Sequence, residues 1–147
     1  MKSKIIAWIR RQVKEAGANG IVMGLSGGID SAVVCALAKG AVGEDNLLGL
    51  LMPCHSHPQD LNDAQVIAKK LGVKTRIVDL SKVYDSFSKV LPKAKNLALA
   101  NLRPRLRMST LYYFANKFNY LVCGTGNKSE LMAGYFTKYG DGGVDIL

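Results

Sequence analysis

Short apolar stretches alternate with longer amphipathic ones along this chain. Apolar residues at helical spacing predict a first helix that ends near Gly17 and has an apolar face of Ile5, Ile6, Ile9 and Val13. Four short stretches predict strands, at 20–25, 47–52, 74–79 and 120–124. Amphipathic patterns predict further helices after these strands, over 29–39, 60–71, 83–91 and 97–118, with a last one opening after 125.

The alternation of strands and helices indicates βαβ units and therefore a parallel sheet. Gly72 is expected just past the end of one helix, and Pro104 marks a kink or a boundary within the pattern 97–118. The predicted fold class is α/β, with a parallel sheet flanked by helices on both faces. The length of 147 residues fits a single domain over 1–147.

Composition and charge narrow the possible partners. With 48% hydrophobic and 21% charged residues, the chain is typical of a globular domain with a core. No apolar run reaches the ~18 residues of a transmembrane helix, and the amino-terminal stretch resembles an amphipathic helix more than a targeting signal. A cytoplasmic protein without membrane contact is therefore expected. The net charge of +9 favours an anionic partner such as a nucleotide, a phosphate or a nucleic acid.

Three cysteines stand far apart and form no CxxC pair, so neither a disulfide framework nor a zinc site is expected. Cys35 and Cys123 are predicted to be small buried residues, whereas Cys54 lies in a loop, where more exposure is expected. His55 and His57 share that loop. They have no carboxylate or cysteine at metal-binding spacing in the sequence, and they are interpreted as loop residues.

The stretch GLSGGIDSA, at 24–32, directly follows the first predicted strand, and ligands of open α/β sheets bind beyond the carboxyl ends of strands. Gly27 and Gly28 allow close approach of the backbone to a ligand. Ser26 and Ser31 add hydroxyl donors, and the start of the next helix favours an anion. The stretch therefore predicts a phosphate site. Asp30 keeps two interpretations, since it either holds Mg²⁺ against the phosphates or caps the helix.

Two common glycine-rich loops do not fit, because GxxxxGK[ST] needs a lysine that is absent and GxGxxG needs another spacing. SGGIDS instead resembles the signature of the ATP pyrophosphatase (PP-loop) family. Within it, the chain is similar to NAD synthetases in the blocks GLSGGIDSA, LLMPCHSHPQDLNDA, NLRPRLRM, GTGNKSEL and GYFTKYGDGGVD, which extend over nearly all of its length. The resemblance implies an adenine nucleotide alpha hydrolase-like fold, which is a Rossmann-type arrangement of three layers.

The resemblance also implies an activity, that of a ligase that performs the last step of NAD biosynthesis. In this reaction the carboxylate of deamido-NAD attacks the α-phosphate of ATP, which gives an adenylate and pyrophosphate, and ammonia then displaces AMP. No covalent nucleophile of the enzyme is required. ATP as co-substrate, Mg²⁺, small-molecule substrates and a homodimer are implied in the same way.

Residue roles follow from the same resemblance. It implies ATP contacts in the glycine-rich loop and at two later positions, namely Gly24, Leu25, Ser26, Gly27, Gly28, Ile29, Asp30, Ser31, Met52 and Thr125. It implies Mg²⁺ ligands at Asp30 and Glu130, and deamido-NAD contacts at Arg105, Lys138 and Asp145. Helical spacing separates Arg105 from Arg103 and Arg107, and a solvated basic turn is the simpler interpretation of Arg103.

Several expectations concern what the sequence leaves out. Members of the family continue well past GDGGVD, which gives the hypothesis that this chain is a fragment, or an enzyme whose remaining residues lie outside it, and leaves the activity of these 147 residues by themselves open. Met1 opens directly on the first predicted helix, with no amidase domain before it, which favours free ammonia as the nitrogen source. Two alternatives remain open: another PP-loop enzyme, such as a tRNA-thiolating or GMP-forming one, and a nucleotide-binding module without catalysis. No cysteine pair or RNA-binding module supports tRNA, so nucleic acid is not the expected partner.

Overall fold

A sheet of four parallel strands runs through the centre of the computed structural model, which describes residues 1–93 and 96–147. The strands are β1 (Gly20–Gly24), β2 (Leu47–Leu51), β3 (Lys74–Ile77) and β4 (Tyr120–Cys123). The helices are α1 (Lys2–Glu15), α2 (Ile29–Val42), α3 (Pro58–Leu71), α4 (Ser81–Val90), α5 (Asn96–Ala100), α6 (Leu102–Phe118) and α7 (Lys128–Ala133). The predicted order of strands and helices is confirmed.

The order of strands across the sheet is β3-β2-β1-β4. The chain therefore steps outward from β1 through β2 to β3, and then crosses back to add β4 on the other side of β1. Residue pairs such as Ile21 with Leu47 and Val22 with Val122 fix the register. This reversal of direction is a topological switch point, which opens a crevice at the carboxyl edge of the sheet, beyond the ends of β1 and β4.

Helices cover both faces of the sheet, and β1 is buried between them. Ile21 and Met23 pack with residues of α1, α2 and α3 on one face, whereas Val22 packs with residues of α6 on the other. None of these three side chains is exposed to solvent, as is typical of a parallel strand with helices on both sides. The predicted fold class is confirmed.

The helix ends follow from particular residues. Gly72 has a φ of 61° in the left-handed region and ends α3 as predicted. Pro104 lies in the first turn of α6, where a proline is tolerated, and Asn101 separates α5 from α6, so the predicted boundary is confirmed. Helix α2 continues past its predicted end at 39. It includes Gly40, where a Cβ atom would lie 2.8 Å from Ile6 of α1. No helix in the described ranges is long and apolar enough to cross a bilayer.

Strand β3 forms one edge of the sheet and is shorter than predicted. It ends at Ile77, and all four of its residues are exposed. The next residues turn toward α4, and a carboxylate oxygen of Asp79 accepts a hydrogen bond of 2.8 Å from the Ser81 backbone N–H. Hydrogen bonds from Ser81 lower the pKa of Asp79 below its ordinary value. The charged residues Lys74 and Arg76 on this edge disfavour pairing with another strand.

All three cysteines are free and buried. This confirms the prediction for Cys35 and Cys123. The expectation for Cys54 is wrong, since only 1% of this residue is exposed. Its side chain packs into the core beside α6, and its backbone N–H donates to the Ser56 hydroxyl at 3.2 Å, which folds the loop inward.

Candidate active site

A cavity of about 900 Å³ opens at the carboxyl edge of the sheet. The ends of β1, β2 and β4 form its floor, and α5, α6 and the segment after α7 form its walls. Its size is in the range of sites that hold a nucleotide or a comparable small molecule. Half of the expected ATP contacts line it, namely Gly24, Leu25, Ser26, Met52 and Thr125. The other half continue directly from Ser26 into α2 and do not form part of the wall.

Two serine hydroxyls hold the loop after β1 in shape. The Ser31 hydroxyl donates to the Gly28 carbonyl at 2.9 Å and accepts from the backbone N–H of Ser26 at 3.3 Å. The Ser26 hydroxyl lies 3.2 Å from that of Ser31 and accepts from the Gly28 N–H at 3.3 Å. Ser31 is buried, so its hydroxyl organises the loop from inside.

Gly27 is the tightest point of this loop. Its φ of +88° lies in a region that other residues rarely adopt. A Cβ atom here would lie 2.7 Å from the carbonyl oxygen of Asp60 and 3.3 Å from the backbone nitrogen of Ala64. The loop therefore packs directly against the first turns of α3, and only glycine fits this position.

Helix α2 begins at this loop with its first backbone N–H groups uncapped. Gly28 is the N-cap residue, and no side chain makes a capping hydrogen bond. Asp30 therefore makes no capping hydrogen bond, although its carboxylate lies in the first turn of α2, where the helix dipole favours a negative charge. Ile29 is 75% exposed, which leaves the start of the helix open to solvent. Uncapped N–H groups and the positive end of the helix dipole favour an anion at this place.

Asp30 is joined to the loop after β4 through Asn127. The Asn127 side-chain amide donates to Oδ2 of Asp30 at 3.3 Å. The side-chain oxygen of Asn127 accepts from the Glu130 backbone N–H at 2.9 Å, and the backbone N–H of Asn127 donates to Oε2 of Glu130 at 3.1 Å. The two expected metal ligands thus lie on either side of one residue, although 100 positions of sequence separate them.

The carboxylate oxygens at Asp30 and Glu130 suit a cation whose remaining ligands are phosphate oxygens and water. The described residues contain no group of three or more His, Cys, Asp or Glu side chains close enough to hold a metal by themselves. Mg²⁺ commonly binds through one or two carboxylates plus phosphate oxygens and water. For such a cation, Asp30 and Glu130 would supply the two carboxylates, and the start of α2 would supply a place for phosphate. The residues present therefore fit Mg²⁺ bound together with a nucleotide.

Arg107 lines the cavity and was not among the expected contacts. Its Nε donates to the Met52 carbonyl at 3.1 Å, and a terminal nitrogen lies 3.4 Å from the Ser56 hydroxyl oxygen. Burial lowers the pKa of its guanidinium, although an arginine side chain remains charged in a protein. The helical spacing within NLRPRLRM predicted that Arg107 and Arg105 would point to different sides of the helix. The sequence did not indicate which side would meet the cavity.

Arg105 and Lys138, two of the expected deamido-NAD contacts, lie together outside the cavity wall. Nε of Arg105 donates to the backbone carbonyl of Lys138 at 3.3 Å, and both residues are exposed. The interpretation of Arg103 as part of a solvated basic turn is wrong. Its guanidinium lies over the ring of Tyr84, 5.2 Å from the ring centre, and the residue is half-buried.

Asp145, the third expected deamido-NAD contact, ties the end of the described chain to β4. Its Oδ2 accepts from the Val122 backbone N–H at 2.8 Å, and its Oδ1 accepts from the Tyr112 hydroxyl at 2.9 Å. Burial, and then the hydrogen bond to Asp145, raise the pKa of Tyr112 to about 12. Ile146 next forms a bridge alongside Cys123. Both carboxylate oxygens of Asp145 therefore have protein partners.

His55 has a carboxylate partner that its sequence neighbourhood did not reveal. Its Nε2 lies 2.7 Å from Oδ1 of Asp85, which belongs to α4. The backbone of His55 has a positive φ of 51°, and its N–H donates to the Ser81 hydroxyl at 3.1 Å. These contacts attach the loop after β2 to α4. Among the described residues, His55 and Asp85 do not belong to a group of three or more side chains that could hold a metal.

A family model and individual relatives both relate this chain to the same protein family. The family model described as NAD synthase matches residues 1–147. The NH(3)-dependent NAD(+) synthetase of Carboxydothermus hydrogenoformans is 52% identical over 149 residues, which cover 98% of this chain and 61% of that protein. The chain therefore spans less than two thirds of the length of this relative.

Two solved structures share the fold closely. The NH3-dependent NAD synthetase from Campylobacter jejuni, in complex with the nitrate ion, superposes with a TM-score of 0.92 at 40% identity and covers 99% of this chain and 65% of its own. The NMN synthetase from Francisella tularensis also has a TM-score of 0.92, at 34% identity, over 99% of this chain and 61% of its own.

Proposed function

The chain belongs to the NAD synthase family, and from this premise we propose that the protein converts deamido-NAD to NAD with ATP and ammonia. The observation that carries the proposal is the meeting of the loops after β1 and β4 at the switch point, where Asn127 joins Asp30 to Glu130. An uncapped helix start and two carboxylates beside one cavity suit a nucleotide phosphate with its cation.

The proposed reaction has two steps. The nicotinate carboxylate attacks the α-phosphorus of ATP, the bond to the bridging oxygen breaks, and pyrophosphate leaves. Ammonia then attacks the carbonyl carbon of the adenylate, loses a proton, and displaces AMP. Because a free carboxylate does not react with amines near neutral pH, the first step is what makes the second possible. Catalysis then depends mainly on positioning and on neutralising charge.

For ATP, we assign the phosphates to the loop Ser26–Asp30 and the start of α2, and the rest of the nucleotide to the cavity beside Met52 and Thr125. The hydroxyl of Ser31 keeps the loop in shape from below. Mg²⁺ held by Asp30 and Glu130 would neutralise the negative charge of the phosphates. Arg107, which lines the same cavity, adds a fixed positive charge.

For deamido-NAD, we assign contacts to Arg105, Lys138 and Asp145. Arg105 and Lys138 form a basic surface beside the cavity, which suits a dinucleotide with two phosphates. Asp145 has both oxygens in hydrogen bonds within the protein. We therefore expect it to contact deamido-NAD only if the ligand replaces the Tyr112 hydroxyl as its partner.

We further propose that the protein acts as a homodimer in the cytoplasm. Helix α4 and the residue after it expose apolar side chains, namely Val83, Phe87, Val90 and Leu91, which a second copy of the chain would cover. Free cysteines in the core suit a reducing compartment. Ammonia as the nitrogen source is supported by the relatives from Carboxydothermus hydrogenoformans and Campylobacter jejuni, which are NH3-dependent enzymes.

The direct test supplies the protein with ATP, Mg²⁺, deamido-NAD and ammonium and measures pyrophosphate and NAD in the same samples. We expect both products in equal amounts with all four components, and neither product when deamido-NAD is left out. When ammonium is left out, NAD should be absent and pyrophosphate should be limited to the amount of adenylate that the enzyme can hold. Pyrophosphate without NAD would mean that the adenylate forms but is not amidated. Binding of ATP with neither product would support the alternative of a nucleotide-binding module without catalysis.

A second candidate reaction makes NMN from nicotinate mononucleotide. It is favoured by one observation, the TM-score of 0.92 with the NMN synthetase from Francisella tularensis, which equals that with an NAD synthetase. The same assay with nicotinate mononucleotide separates the two. We expect kcat/KM to be higher for deamido-NAD, and a higher value for the mononucleotide would reverse the assignment.

Replacing the carboxylate of Asp30 tests the metal assignment. Asp30→Asn removes the charge at nearly constant size, so the fold should remain while Mg²⁺-dependent turnover falls by at least about 100-fold, which corresponds to about 2.7 kcal/mol. Turnover and the melting temperature would be measured together. Unchanged turnover in the folded variant would contradict a metal role for Asp30.

A further inference from the structure

Besides the helical hydrogen bond that its backbone carbonyl accepts from the Leu131 N–H, Asn127 makes three hydrogen bonds, which serve two different purposes. Its side-chain oxygen and its backbone N–H form a capping box with Glu130, which starts helix α7. Its side-chain NH₂ group takes no part in the cap. This group donates to Oδ2 of Asp30, 97 positions earlier in the chain and in the loop after another strand.

The cap alone does not require asparagine. Ser, Thr and Asp also accept the hydrogen bond that caps a helix. An amide differs from them because it carries an acceptor and an NH₂ donor on one planar group. At this position the acceptor faces α7 and the donor faces Asp30, so the residue connects the two loops at the switch point.

Asn127 donates a hydrogen bond to one oxygen of the Asp30 carboxylate and to one oxygen of the Glu130 carboxylate. The second oxygen of each carboxylate receives no hydrogen bond from Asn127. Oδ2 of Asp30 and Oε2 of Glu130 are the bonded atoms. Among the described residues, Oδ1 of Asp30 and Oε1 of Glu130 have no hydrogen-bond or ion-pair partner. Each carboxylate is therefore oriented through one oxygen and offers its second oxygen to a cation.

We propose that Asn127 is a positioning residue for the divalent cation, because it holds Asp30 and Glu130 in place without itself being a ligand. The inference rests on the proposed function, which assigns the two carboxylates to Mg²⁺. Partners that orient metal ligands through hydrogen bonds commonly change metal affinity by 10- to 100-fold when they are removed.

Two substitutions separate the cap from the connection to Asp30. Asn127→Ser keeps an acceptor for the Glu130 N–H but removes the donor to Asp30. Asn127→Ala removes both. Asn46→Ser is the matched control, since the Asn46 side-chain amide also donates a hydrogen bond of 3.3 Å, to the Val42 carbonyl. Asn46 precedes β2 and so lies at the amino ends of the strands, away from the loops after β1 and β4.

The measurement is the binding of Mn²⁺ in the presence of α,β-methylene-ATP, followed by the electron paramagnetic resonance signal of free Mn²⁺, with the melting temperature recorded for each variant. We expect Asn127→Ser to bind Mn²⁺ at least about tenfold more weakly than the wild type while it melts at the same temperature. Asn127→Ala should show the same loss of affinity and also melt at a lower temperature. Asn46→Ser should bind as the wild type does.

The inference is overturned if Asn127→Ser binds Mn²⁺ as tightly as the wild type. It is also overturned if affinity and melting temperature fall together in both variants, since the residue would then act only as a helix cap. A wild-type protein that does not bind Mn²⁺ with the nucleotide would contradict the metal assignment of the proposed function itself, and the inference with it. The wild-type measurement therefore distinguishes the two failures.

Discussion

Single residues in this protein often have roles that depend on a partner far away in the sequence. The backbone at Gly27 packs against α3, and the side chain of Cys54 packs into the core beside α6. His55 makes its hydrogen bond to Asp85 of α4. The sequence predicted the flexible backbone at Gly27 because glycine itself carries that property. It did not predict the burial of Cys54 or the carboxylate beside His55, because both depend on how the loop after β2 folds against helices that come later.

The close packing at Gly27 predicts a loss of stability when a methyl group is added. Gly27→Ala combines an unfavourable positive φ with a Cβ atom 2.7 Å from the Asp60 carbonyl oxygen. We expect the free energy of unfolding to fall by about 2 kcal/mol or more. Gly17→Ala is the control, since Gly17 has a φ of +64° but open space around it. Its loss should be about 1 kcal/mol in urea unfolding, and equal losses would contradict the contact with α3.

The buried thiols predict low reactivity in the folded protein. Burial raises the pKa of Cys35 to about 11 and that of Cys123 to about 12, and it also raises the pKa of Cys54. All three thiols should stay protonated at pH 8 and react slowly with Ellman's reagent, whereas the protein in guanidinium chloride should release three equivalents rapidly. Rapid reaction of one thiol in the folded state would mean that the loop at Cys54 opens.

At the scale of elements, apolar periodicity was enough to predict which segments form helices and strands. The runs of β1 and β2 are apolar because helices cover both faces of the sheet, so their sequence pattern and their environment have the same cause. The ends of elements were harder to predict. Helix α2 continues through Gly40 because α1 packs closely there, and β3 stops early because Asp79 begins the turn into α4.

Helix α6 shows the same limit for the site. Three arginines occur within one turn and a half, and their positions around the helix axis decide their roles. Arg107 faces the cavity, Arg105 meets Lys138, and Arg103 lies on Tyr84. Spacing predicted that Arg105 would point away from the other two, but the direction of the cavity depends on where α6 packs on the sheet. The contact of Arg107 with the end of β2 could not be read from spacing.

The fork of hydrogen bonds from Arg107 predicts a specific effect of lysine at this position. A lysine carries its charge at a single nitrogen and cannot match the geometry that reaches both Met52 and Ser56. A lysine would not be held at the cavity wall in this way, so its contact with a bound nucleotide should weaken. A hydrogen bond to a charged group is worth about 1.5 kcal/mol, so we expect KM for ATP to rise roughly tenfold in Arg107→Lys. Arg10→Lys is the control, because Arg10 also donates to two carbonyls, of Gly40 and Ala41, but contributes nothing to the cavity. It should lower stability without changing KM.

For the molecule as a whole, the exposed apolar side chains of α4 form one surface that a single copy of the chain leaves uncovered. Phe87 is 44% exposed and Val90 76% exposed on helix α4, which packs against α6. Apolar surface of this kind is typical of a contact between proteins. The net charge of +9 opposes non-specific association, so a contact here would have to be specific.

A charged substitution on α4 tests the proposed homodimer. Phe87→Glu should shift the sedimentation of the protein from dimer to monomer, because a carboxylate in an apolar contact loses its hydration without gaining a partner. Val66→Glu is the matched control, since Val66 is 42% exposed on α3 and lies on another side of the molecule. A dimer that persists in Phe87→Glu would exclude this face as the contact.

The position of β1 between β2 and β4 has a consequence for the order in which the protein matures. As a nascent chain leaves the ribosome, β1, β2 and β3 can pair while β4 is still unmade. The contact between Asp30 and Asn127 joins residues 97 positions apart, and such long loops close late in folding. The glycine-rich loop is therefore synthesised early but gains its second carboxylate only when β4 docks, so nucleotide and metal should be captured after folding rather than guide it.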